Sequence, residues 1–432
     1  MNDKAGRRMM SRQVGLSDIA LYIPPLKIEL DRLVAERVKQ RPDLERRLRR
    51  AVTVTGQESF RFPESWQDNT TLAAQSSYRL VDQNPEEDLS RVRYLAVGTE
   101  TAVDHSKPVA AFVEGMLQRS GAPIPESIST FQVQHACAGG TIALLSVSAL
   151  LTASGRADES GIVVCSDIAR YDAPSTAEVT QGAGAVSMLV SSNPRLLELD
   201  LATQGYFSRD VDDFFRPLGS TTAKVKGSYS VQCYNEALES AFLDHCSRRN
   251  QSPEEVLQTT DMFAFHVPFH NMAMMALQKL VNKYLGLTGD AAEEFLDARG
   301  FSESLSAAKR IGNIYSGSAY LALAFLLDER YKTLGNDIRG KNVVVASYGS
   351  GNTMTVLGGT VAQDAPDVIS RWDLDAVWRN ERSADFAEYL EWLTSPLERD
   401  AYNAILKNGN IPQGSFYLEA IRDDGYREYA WK

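Results

Sequence analysis

The most telling stretch of the sequence is Phe131-Gln-Val-Gln-His-Ala-Cys-Ala-Gly-Gly-Thr141, followed by the apolar run Ile142-Ala-Leu-Leu-Ser-Val-Ser-Ala-Leu-Leu151. This pattern predicts a strand, a tight turn and a buried helix, with Cys137 at the helix N-terminus. Because a helix N-terminus stabilises a thiolate, we expect the pKa of this thiol to be lowered. Gly139 and Gly140 would let a substrate approach the backbone. Cys137 is therefore a candidate nucleophile, and the alternative is a small buried core residue.

The composition limits the classes of protein to which the chain can belong. The chain has 432 residues, of which 44% are hydrophobic and 23% charged, so it can bury a large core. Its net charge of −11 argues against a general nucleic-acid-binding protein.

The cysteines and the apolar runs indicate the compartment. The four cysteines show no CxxC spacing, so we expect neither a metal site nor a disulfide framework, and we predict a reduced, cytoplasmic location. Residues 1–13 are polar and basic and do not read as a secretory signal. No uninterrupted apolar run approaches 18 residues, so we expect no membrane span.

Apolar β-rich runs alternate with helical patterns along the chain, which is typical of an α/β protein. The predicted strands are 93–98, 160–166, 183–190, 261–266, 342–347 and 353–357. The predicted helices are 67–82, 107–119, 140–154, 232–248, 271–285 and 316–329. The order of elements around Glu100 and Cys137 recurs around His266 and the turn at residues 312–317, which indicates an internal duplication.

Three reactive side chains lie at predicted strand ends or turns, where sites form in open α/β sheets. Cys137 would be the nucleophile, Glu100 an acid or base, and His266 a group that polarises a carbonyl. Taken singly, Glu100 could be an exposed strand-end carboxylate and His266 a core histidine. His135 is a rival imidazole.

Two further segments have open interpretations. The turn at residues 346–352 is rich in glycine and suits an oxyanion, or is a plain tight turn. The charged segment 31–50 reads as a solvated helix, and phosphate contact is the alternative.

Several motifs, in this order, resemble the 3-hydroxy-3-methylglutaryl-CoA synthase family of the thiolase superfamily, from about Gly15 to the end of the chain. They are Gly98-Thr-Glu-Thr-Ala-Val-Asp104, Ala136-Cys-Ala-Gly-Gly-Thr141, Val164-Cys-Ser-Asp-Ile-Ala-Arg-Tyr171, Glu178-Val-Thr-Gln-Gly-Ala-Gly-Ala-Val186, Asp213-Phe-Phe-Arg-Pro-Leu-Gly219, Phe265-His-Val-Pro-Phe269, Gly312-Asn-Ile-Tyr-Ser-Gly-Ser318 and Ser347-Tyr-Gly-Ser-Gly351.

The resemblance implies an α/β fold of the five-layered αβαβα thiolase type, built from two similar halves and usually dimeric. We therefore predict an N-terminal half over 14–195, a C-terminal half over 196–362 and a tail over 363–432 that packs on the body. The implied enzyme is an acyltransferase of the mevalonate pathway for isoprenoid biosynthesis. It would use acetyl-CoA and acetoacetyl-CoA as substrates and need no cofactor or metal.

The resemblance also implies roles for individual residues. Cys137 would carry the acetyl group, Glu100 would act as general acid and base, and His266 would bind the acetoacetyl group. Asn313 matches the family asparagine near the acyl group, and the backbone at Cys137 and Ser350 would form the oxyanion site. The residues implied to bind substrate are Asn313, Ser350, Gly349 and Tyr348.

Two departures from the family pattern bear on specificity. Ala138 stands where the family has an aromatic residue, so we expect a larger or reshaped acyl pocket. A lysine expected after His270 is absent, and its possible substitutes are Lys107, Arg209, Lys224, Lys226 and Lys279. The alternative function is a synthase that adds a β-branch to a chain on an acyl-carrier protein. A ketoacyl synthase is disfavoured because such enzymes lack a carboxylate like Glu100.

Overall fold

The fold is known from a computed structural model, which describes residues 13–394, 399–406 and 410–432. Sixteen strands are present in the described residues. They are β1 Val14–Tyr22, β2 Leu26–Glu29, β3 Ser59–Arg61, β4 Val92–Gly98, β5 Ser129–Val133, β6 Ser160–Ala169, β7 Gly182–Ser192, β8 Leu197–Ser208, β9 Phe214–Phe215, β10 Lys224–Val225, β11 Met262–Phe265, β12 Asn342–Gly349, β13 Thr353–Val361, β14 Arg382–Ser383, β15 Phe416–Ile421 and β16 Arg427–Trp431.

The helices alternate with these strands as the sequence predicted. They are α1 Leu30–Gln40, α2 Glu45–Thr55, α3 Asn69–Asp82, α4 Val109–Arg119, α5 Gly139–Ser154, α6 Gly227–Arg249, α7 Pro253–Thr259, α8 His270–Leu285, α9 Asp290–Asp297, α10 Phe301–Ile311, α11 Ser318–Leu334, α12 Ala365–Ile369, α13 Ala376–Arg379, α14 Phe386–Leu393 and α15 Arg399–Leu406.

Nine strands form one continuous sheet in the order β11-β12-β13-β8-β1-β7-β6-β4-β5. In the first half, β1 pairs antiparallel with β7, β7 antiparallel with β6, and β6 parallel with β4. The second half repeats these relations with β8, β13, β12 and β11. The two halves meet through a short β1–β8 pairing at Gly15 and Leu16. The predicted duplication is confirmed, whereas the exact domain boundaries stay a prediction.

Burial arranges these elements in layers. The apolar helices α5 and α11 lie in the middle and share one core with both halves of the sheet. Helices α3 and α4 cover the outer face of the first half, and α6 and α8 cover that of the second. Thr141 and Tyr320 join the two central helices through their hydroxyls at 2.7 Å. The result is the predicted five-layered αβαβα arrangement.

The central helix that carries the candidate nucleophile is strongly apolar. Within the described residues, the segment Ala136–Ser154 alone is long and apolar enough to cross a membrane by length and composition. The sequence-based expectation of no span rested on uninterrupted apolar runs, and hydroxyl side chains interrupt this one. Leu144 and Val147 of the helix are fully buried between the two sheet halves, as in the core helix of a folded domain.

The C-terminal segment contacts the body at two places. Tyr389 on α14 packs edge-on against Phe60 and Phe62 of the first half. The hairpin β15–β16 packs on α3 and α4 through residues such as Phe416 and Tyr429. The aromatic composition of the segment is explained by this packing.

Candidate active site

The first half places a thiol beside a carboxyl group. β4 ends at Gly98, and Glu100 follows two residues later. Cys137 lies in the turn between β5 and α5, two residues before the helix begins at Gly139. Sγ of Cys137 donates a hydrogen bond to Oε1 of Glu100 at 3.3 Å. Two groups that are 37 residues apart in sequence are therefore in direct contact.

The glycines of this turn serve packing within the protein. A Cβ on Gly139 would lie 2.8 Å from the carbonyl oxygen of Val133, and one on Gly140 would lie 2.3 Å from Sγ of Cys165. A Cβ on Gly98 would collide with the backbone of Gly140. The expectation that Gly139 and Gly140 leave room for a substrate is wrong, because protein atoms already fill that space. Their absence of side chains lets α5 press against the ends of β4 and β6.

Arg216 is the second partner of Glu100. Its Nη2 lies 3.4 Å from Oε2 of Glu100, and its Nη1 donates to the backbone carbonyl oxygen of the same residue. Burial raises the pKa of Glu100 to about 7, against the opposing effect of the Arg216 guanidinium. A carboxyl group with this pKa can both accept and return a proton near neutral pH.

The thiol does not show the lowered pKa that its helix position predicted. Burial raises the pKa of Cys137 well above its usual value, and the neighbouring Glu100 carboxylate raises it further. The thiol is only 7% exposed, and these two effects outweigh the helix N-terminus. The thiol is therefore protonated in the resting site, and the ionised form of Glu100 is placed to take its proton.

Asp167 holds the strand ends around this pair. Its Oδ1 accepts hydrogen bonds from Thr99 Oγ1 at 2.8 Å, from the Glu100 amide at 3.0 Å and from Thr101 Oγ1 at 2.7 Å. Its Oδ2 accepts from the amide and the hydroxyl of Ser316 in the second half. The buried carboxylate thus links the loop of Glu100 to the loop that precedes α11, which fixes both halves of the site.

His266 follows β11 as Glu100 follows β4. Its amide donates to the carbonyl oxygen of Ala346 at 2.7 Å, and its own carbonyl accepts from Tyr234 Oη at 2.9 Å, so the backbone is fixed on both sides. The side chain is buried, and burial lowers its pKa to about 3. The ring is therefore neutral at physiological pH and can donate one N–H to a substrate oxygen.

Asn313 lies in the second-half turn that corresponds to the Cys137 turn. Its Oδ1 accepts from the Tyr315 amide at 2.8 Å and from Ser318 Oγ at 3.0 Å. With the oxygen engaged, the group that Asn313 can offer to a ligand is its NH₂. A Cβ on Gly182 would lie 2.6 Å from the carbonyl oxygen of Asn313, so the glycine-rich start of β7 serves close packing.

The end of β12 lies against the nucleophile turn. A Cβ on Gly349 would lie 2.4 Å from the carbonyl oxygen of His135 and 2.8 Å from Cβ of Ala138, so Gly349 positions the backbone and does not line the cavity. Tyr348 and Ser350 do line it, and Oη of Tyr348 donates to Asp213 at 2.8 Å. Ala138 is fully buried against Gly349 and does not line the cavity, so its expected effect on the size or shape of the acyl pocket stays a prediction.

Several of these groups line one cavity of about 760 Å³, whereas Glu100 is not among the lining residues and lies behind Cys137, in contact with its thiol. Its wall includes Cys137, His266, Asn313, Tyr315 and Ser350, whereas His135 is not part of it. The cavity is large enough for a drug-sized ligand and far larger than a few waters require. The described part of the chain holds no cluster of three His, Cys, Asp or Glu side chains that could bind a metal ion.

The cavity wall on the α2 side is basic. Arg47 and Arg50 of α2 and Lys224 of β10 line it, although Lys224 also pairs with Asp172 at 2.5 Å. The other suggested substitutes for the missing lysine do not line the cavity. Lys107 donates to Tyr426, Arg209 pairs with Glu236, Lys226 pairs with Asp212, and Lys279 lies on α8.

Sequence reasoning missed three residues of this site. Arg216 and Asp167 contact Glu100. Both residues lie in motifs that resemble the family, but the sequence does not indicate that either of them contacts the carboxyl group. Tyr315 is fully buried with φ +45°, and its hydroxyl has no hydrogen-bond partner among the described residues. Apart from the place of Tyr315 in the motif, nothing in the sequence indicates its positive φ or its hydroxyl without a partner.

Sequence comparisons match the chain from residue 10 to its last residue, except residues 195–196. The family model described as hydroxymethylglutaryl-coenzyme A synthase N terminal matches residues 10–194, and its C-terminal counterpart matches 197–286 and 280–432. The hydroxymethylglutaryl-CoA synthase of Enterococcus faecalis is 28% identical over 387 residues, covering 90% of this chain and 93% of that protein. The mitochondrial enzyme of Homo sapiens is 27% identical over 428 residues, covering 87% of this chain and 82% of its own length.

Solved structures agree with these matches. The structure of MvaS in complex with 3-hydroxy-3-methylglutaryl coenzyme A is 33% identical, with a TM-score of 0.82 over 98% of this chain and 100% of that one. The synthase of the curacin biosynthetic pathway has the same TM-score over 98% and 100% of the two chains at 21% identity, and this shows the fold alone. The chain belongs to the hydroxymethylglutaryl-CoA synthase family, a group of acyl-transferring enzymes with the thiolase fold.

Proposed function

We propose that this enzyme condenses acetyl-CoA with acetoacetyl-CoA, through an acetyl group carried on Cys137, to give 3-hydroxy-3-methylglutaryl-CoA and free CoA. The observation that supports this most directly is the 3.3 Å contact between the Cys137 thiol and the Glu100 carboxylate, beside a cavity that His266 and Asn313 also line. One half of the duplicated fold supplies the reacting groups and the other supplies groups that can bind the acceptor.

In the first step, Glu100 takes the proton from Sγ of Cys137 as the thiolate attacks the acetyl carbonyl carbon. The oxyanion that forms is proposed to accept hydrogen bonds from the backbone N–H groups of Cys137 and Ser350. The carbonyl reforms, the bond to the CoA sulfur breaks, and Glu100 returns the proton to that sulfur. The products are acetyl-Cys137 and CoA.

In the second step, the Glu100 carboxylate removes a proton from the acetyl methyl group, which gives an enolate. The enolate carbon attacks the ketone carbon of acetoacetyl-CoA, while the neutral His266 ring and the Asn313 NH₂ donate to the substrate oxygens. Protonated Glu100 delivers its proton to the new tertiary alkoxide. Water then cleaves the thioester to Cys137, which frees the product and the thiol.

The basic wall is proposed to hold the phosphates of CoA. Arg47 and Arg50 are exposed, and both line the cavity that contains the thiol. They belong to the charged segment for which phosphate contact was the alternative interpretation. Two guanidinium groups beside the cavity give a protein of net charge −11 a local positive charge that suits an anionic substrate.

The test combines the purified protein with acetyl-CoA and acetoacetyl-CoA and identifies the product by mass spectrometry. We expect 3-hydroxy-3-methylglutaryl-CoA, and an acetylated Cys137 peptide when acetyl-CoA is given alone. Ping-pong kinetics are expected because free CoA leaves before the acceptor reacts. Formation of the product without any acetylated Cys137 would contradict the covalent route.

A second candidate function is the addition of a β-branch to a ketoacyl chain on an acyl-carrier protein. The observation that favours it is the exposed apolar surface at Val54 and Val225, which line the cavity beside Arg47 and Arg50. An apolar and basic rim suits an acidic carrier domain. Related curacin-pathway synthases have been solved in complex with donor carrier proteins. Parallel reactions with acetoacetyl-CoA and with an acetoacetylated carrier protein distinguish the two.

We also propose that the enzyme is cytoplasmic, needs no cofactor, supplies isoprenoid precursors and forms a homodimer. The homodimer is supported by β5, which lies at the sheet edge and pairs only with β4 among the described strands. An open edge strand is suited to pairing with a second copy. Light scattering on the purified protein should give twice the mass of the chain.

A further inference from the structure

A second, smaller cavity lies at the opposite end of the sheet from the thiol. It has a volume of about 170 Å³ and is lined by the start of β12 and the last third of β13, together with α6 and α7. β13 begins beside the active-site turn at Thr353 and reaches this cavity at Gly358 and Gly359, which at the rise of an extended strand is about 20 Å away. We call it the rear cavity.

His245 of α6 lines the rear cavity. Its Nδ1 lies 2.5 Å from the carbonyl oxygen of Thr203, and because a carbonyl only accepts, Nδ1 carries the proton. The residue is fully buried, and its Nε2 has no hydrogen-bond partner among the described residues. A buried, unpaired nitrogen is costly, so a bound molecule that satisfies it would stabilise the site.

Arg249 faces the same space one turn further along α6. Its Nε donates to Gln251 at 2.7 Å, and its Nη1 lies 3.6 Å from Oδ2 of Asp200, too far for a good hydrogen bond. A Cβ on Gly358 would lie 3.4 Å from Nη1 of Arg249 and 3.8 Å from Nε2 of His245. The absence of a side chain at Gly358 therefore keeps open the volume between the guanidinium and the imidazole.

We propose that the rear cavity binds a small oxyanion, a phosphate or a carboxylate, between Arg249 and His245, and that His245 takes up one proton from solvent when the anion binds. The protonated Nε2 and the Nη1 group then both donate to the anion's oxygens. The carboxylate of Asp200 already accepts from the Ala202 amide and from Thr203 Oγ1, so its charge is partly satisfied inside the protein.

Charged groups near His245 favour or oppose the uptake of this proton by its ring. Asp200 on β8 and Asp244 on α6 favour the protonated ring, and Arg249 opposes it. Burial lowers the pKa of His245 in the empty site, so the ring is neutral until an anion offsets that cost. The volume of 170 Å³ is about ten times what a single water requires, so one bridging water does not fill it.

The test titrates the full chain with inorganic phosphate, and separately with acetate, by calorimetry near neutral pH in two buffers of different ionisation enthalpy. We expect saturable binding of at least one of them with uptake of one proton. Arg249→Gln and Gly358→Ala should weaken it about tenfold or more, because a charged donor is lost or the space is filled. The control Arg209→Gln changes an exposed arginine that does not line the rear cavity and should bind like the parent.

Two further measurements keep the proposal falsifiable. Arg50→Gln should leave this binding intact, because Arg50 lines the large cavity; loss of binding in that variant would place the anion there and overturn the proposal. The chain has five histidines, so ¹⁵N spectra of histidine-labelled protein, assigned with His245→Gln, can follow Nε2 directly. A ring that stays neutral with anion bound, or a parent that binds neither anion, would also overturn it. Condensation activity in Gly358→Ala reports that the variant is folded.

Discussion

The two halves of the molecule use the same scaffold for opposite purposes. Glu100 follows β4 in the first half, and His266 follows the equivalent β11 in the second. Cys137 precedes the central helix α5, and Asn313 stands before its counterpart α11. The first half thus presents the groups that exchange protons and form bonds, and the second presents neutral hydrogen-bond donors.

Burial shifts the pKa values of Glu100 and His266 in opposite directions. It raises the pKa of Glu100 to about 7 and lowers that of His266 to about 3, so burial suits the carboxyl group for proton transfer and keeps the imidazole neutral. A duplicated fold therefore provides four matched positions, three of which line the cavity while the fourth, Glu100, contacts Cys137. The residue type at each position decides whether that half reacts or binds. Variants in the two halves should fail at different steps.

The largest effect is expected for Cys137→Ala. Without the sulfur no acetyl group can be carried, so acetyl transfer and condensation should both fall by at least about 10⁴-fold. Mass spectrometry after incubation with acetyl-CoA should find no acetylated protein. Cys246→Ala, which changes a buried cysteine of α6, is the matched control and should keep its activity. Acetylation elsewhere with retained turnover would show that another nucleophile operates.

Glu100→Ala should separate the two steps. Condensation should fall by about 10²–10⁴-fold, because no base remains to remove the methyl proton. Acetylation of Cys137 should persist at a reduced rate. The variant has no carboxylate to take the thiol proton, but loss of that carboxylate also removes one of the causes that raise the pKa of the thiol. Rapid-quench measurement of acetyl-enzyme and product in one experiment tests both statements. Product formation at the parent rate would refute the role of Glu100.

His266→Asn should affect only the binding of the acceptor substrate, which we assign to the second half of the fold. Binding of acetoacetyl-CoA should weaken by about tenfold or more, because a donor to a substrate oxygen is lost from a buried site. Acetylation by acetyl-CoA should be unchanged. His135→Asn serves as the control, since His135 does not line the cavity. Unaltered affinity for acetoacetyl-CoA in the His266 variant would remove His266 from the acceptor site.

The fold was largely predictable because its signals are local and periodic. The alternation of strands and helices, and the recurrence of the same order of elements, came from apolar runs such as 160–166 and 342–347, which lie in β6 and β12. The strand β8, which runs beside β1 and joins the halves, was not predicted, because its exposed and buried residues do not alternate cleanly. Pairing between halves depends on packing over long sequence distances.

The site was predictable in its residue types and less so in its electrostatics. Cys137 and Glu100 were found from motif and strand position, but the direction of the thiol's pKa shift depends on a carboxylate 37 residues away and on burial, and neither has a signal in the local sequence. The same holds for Arg216, which is 116 residues from its partner Glu100. Long-range ion pairs are set by tertiary structure, and only a fold can reveal them.

Arg216→Gln is expected to have the smallest effect and tests that ion pair. Condensation in the parent should decline as the pH falls through about 7, because only the unprotonated Glu100 can remove the methyl proton. The guanidinium favours the carboxylate, so its loss should raise the pKa of Glu100 and move this acid limb upward by about one pH unit. Activity should then be lower near neutral pH and recover at higher pH. Arg209→Gln, which removes an exposed arginine paired with Glu236, should leave the profile unchanged. A uniform loss of rate at every pH would mean that Arg216 supports the structure of the loop and does not tune the proton affinity of Glu100.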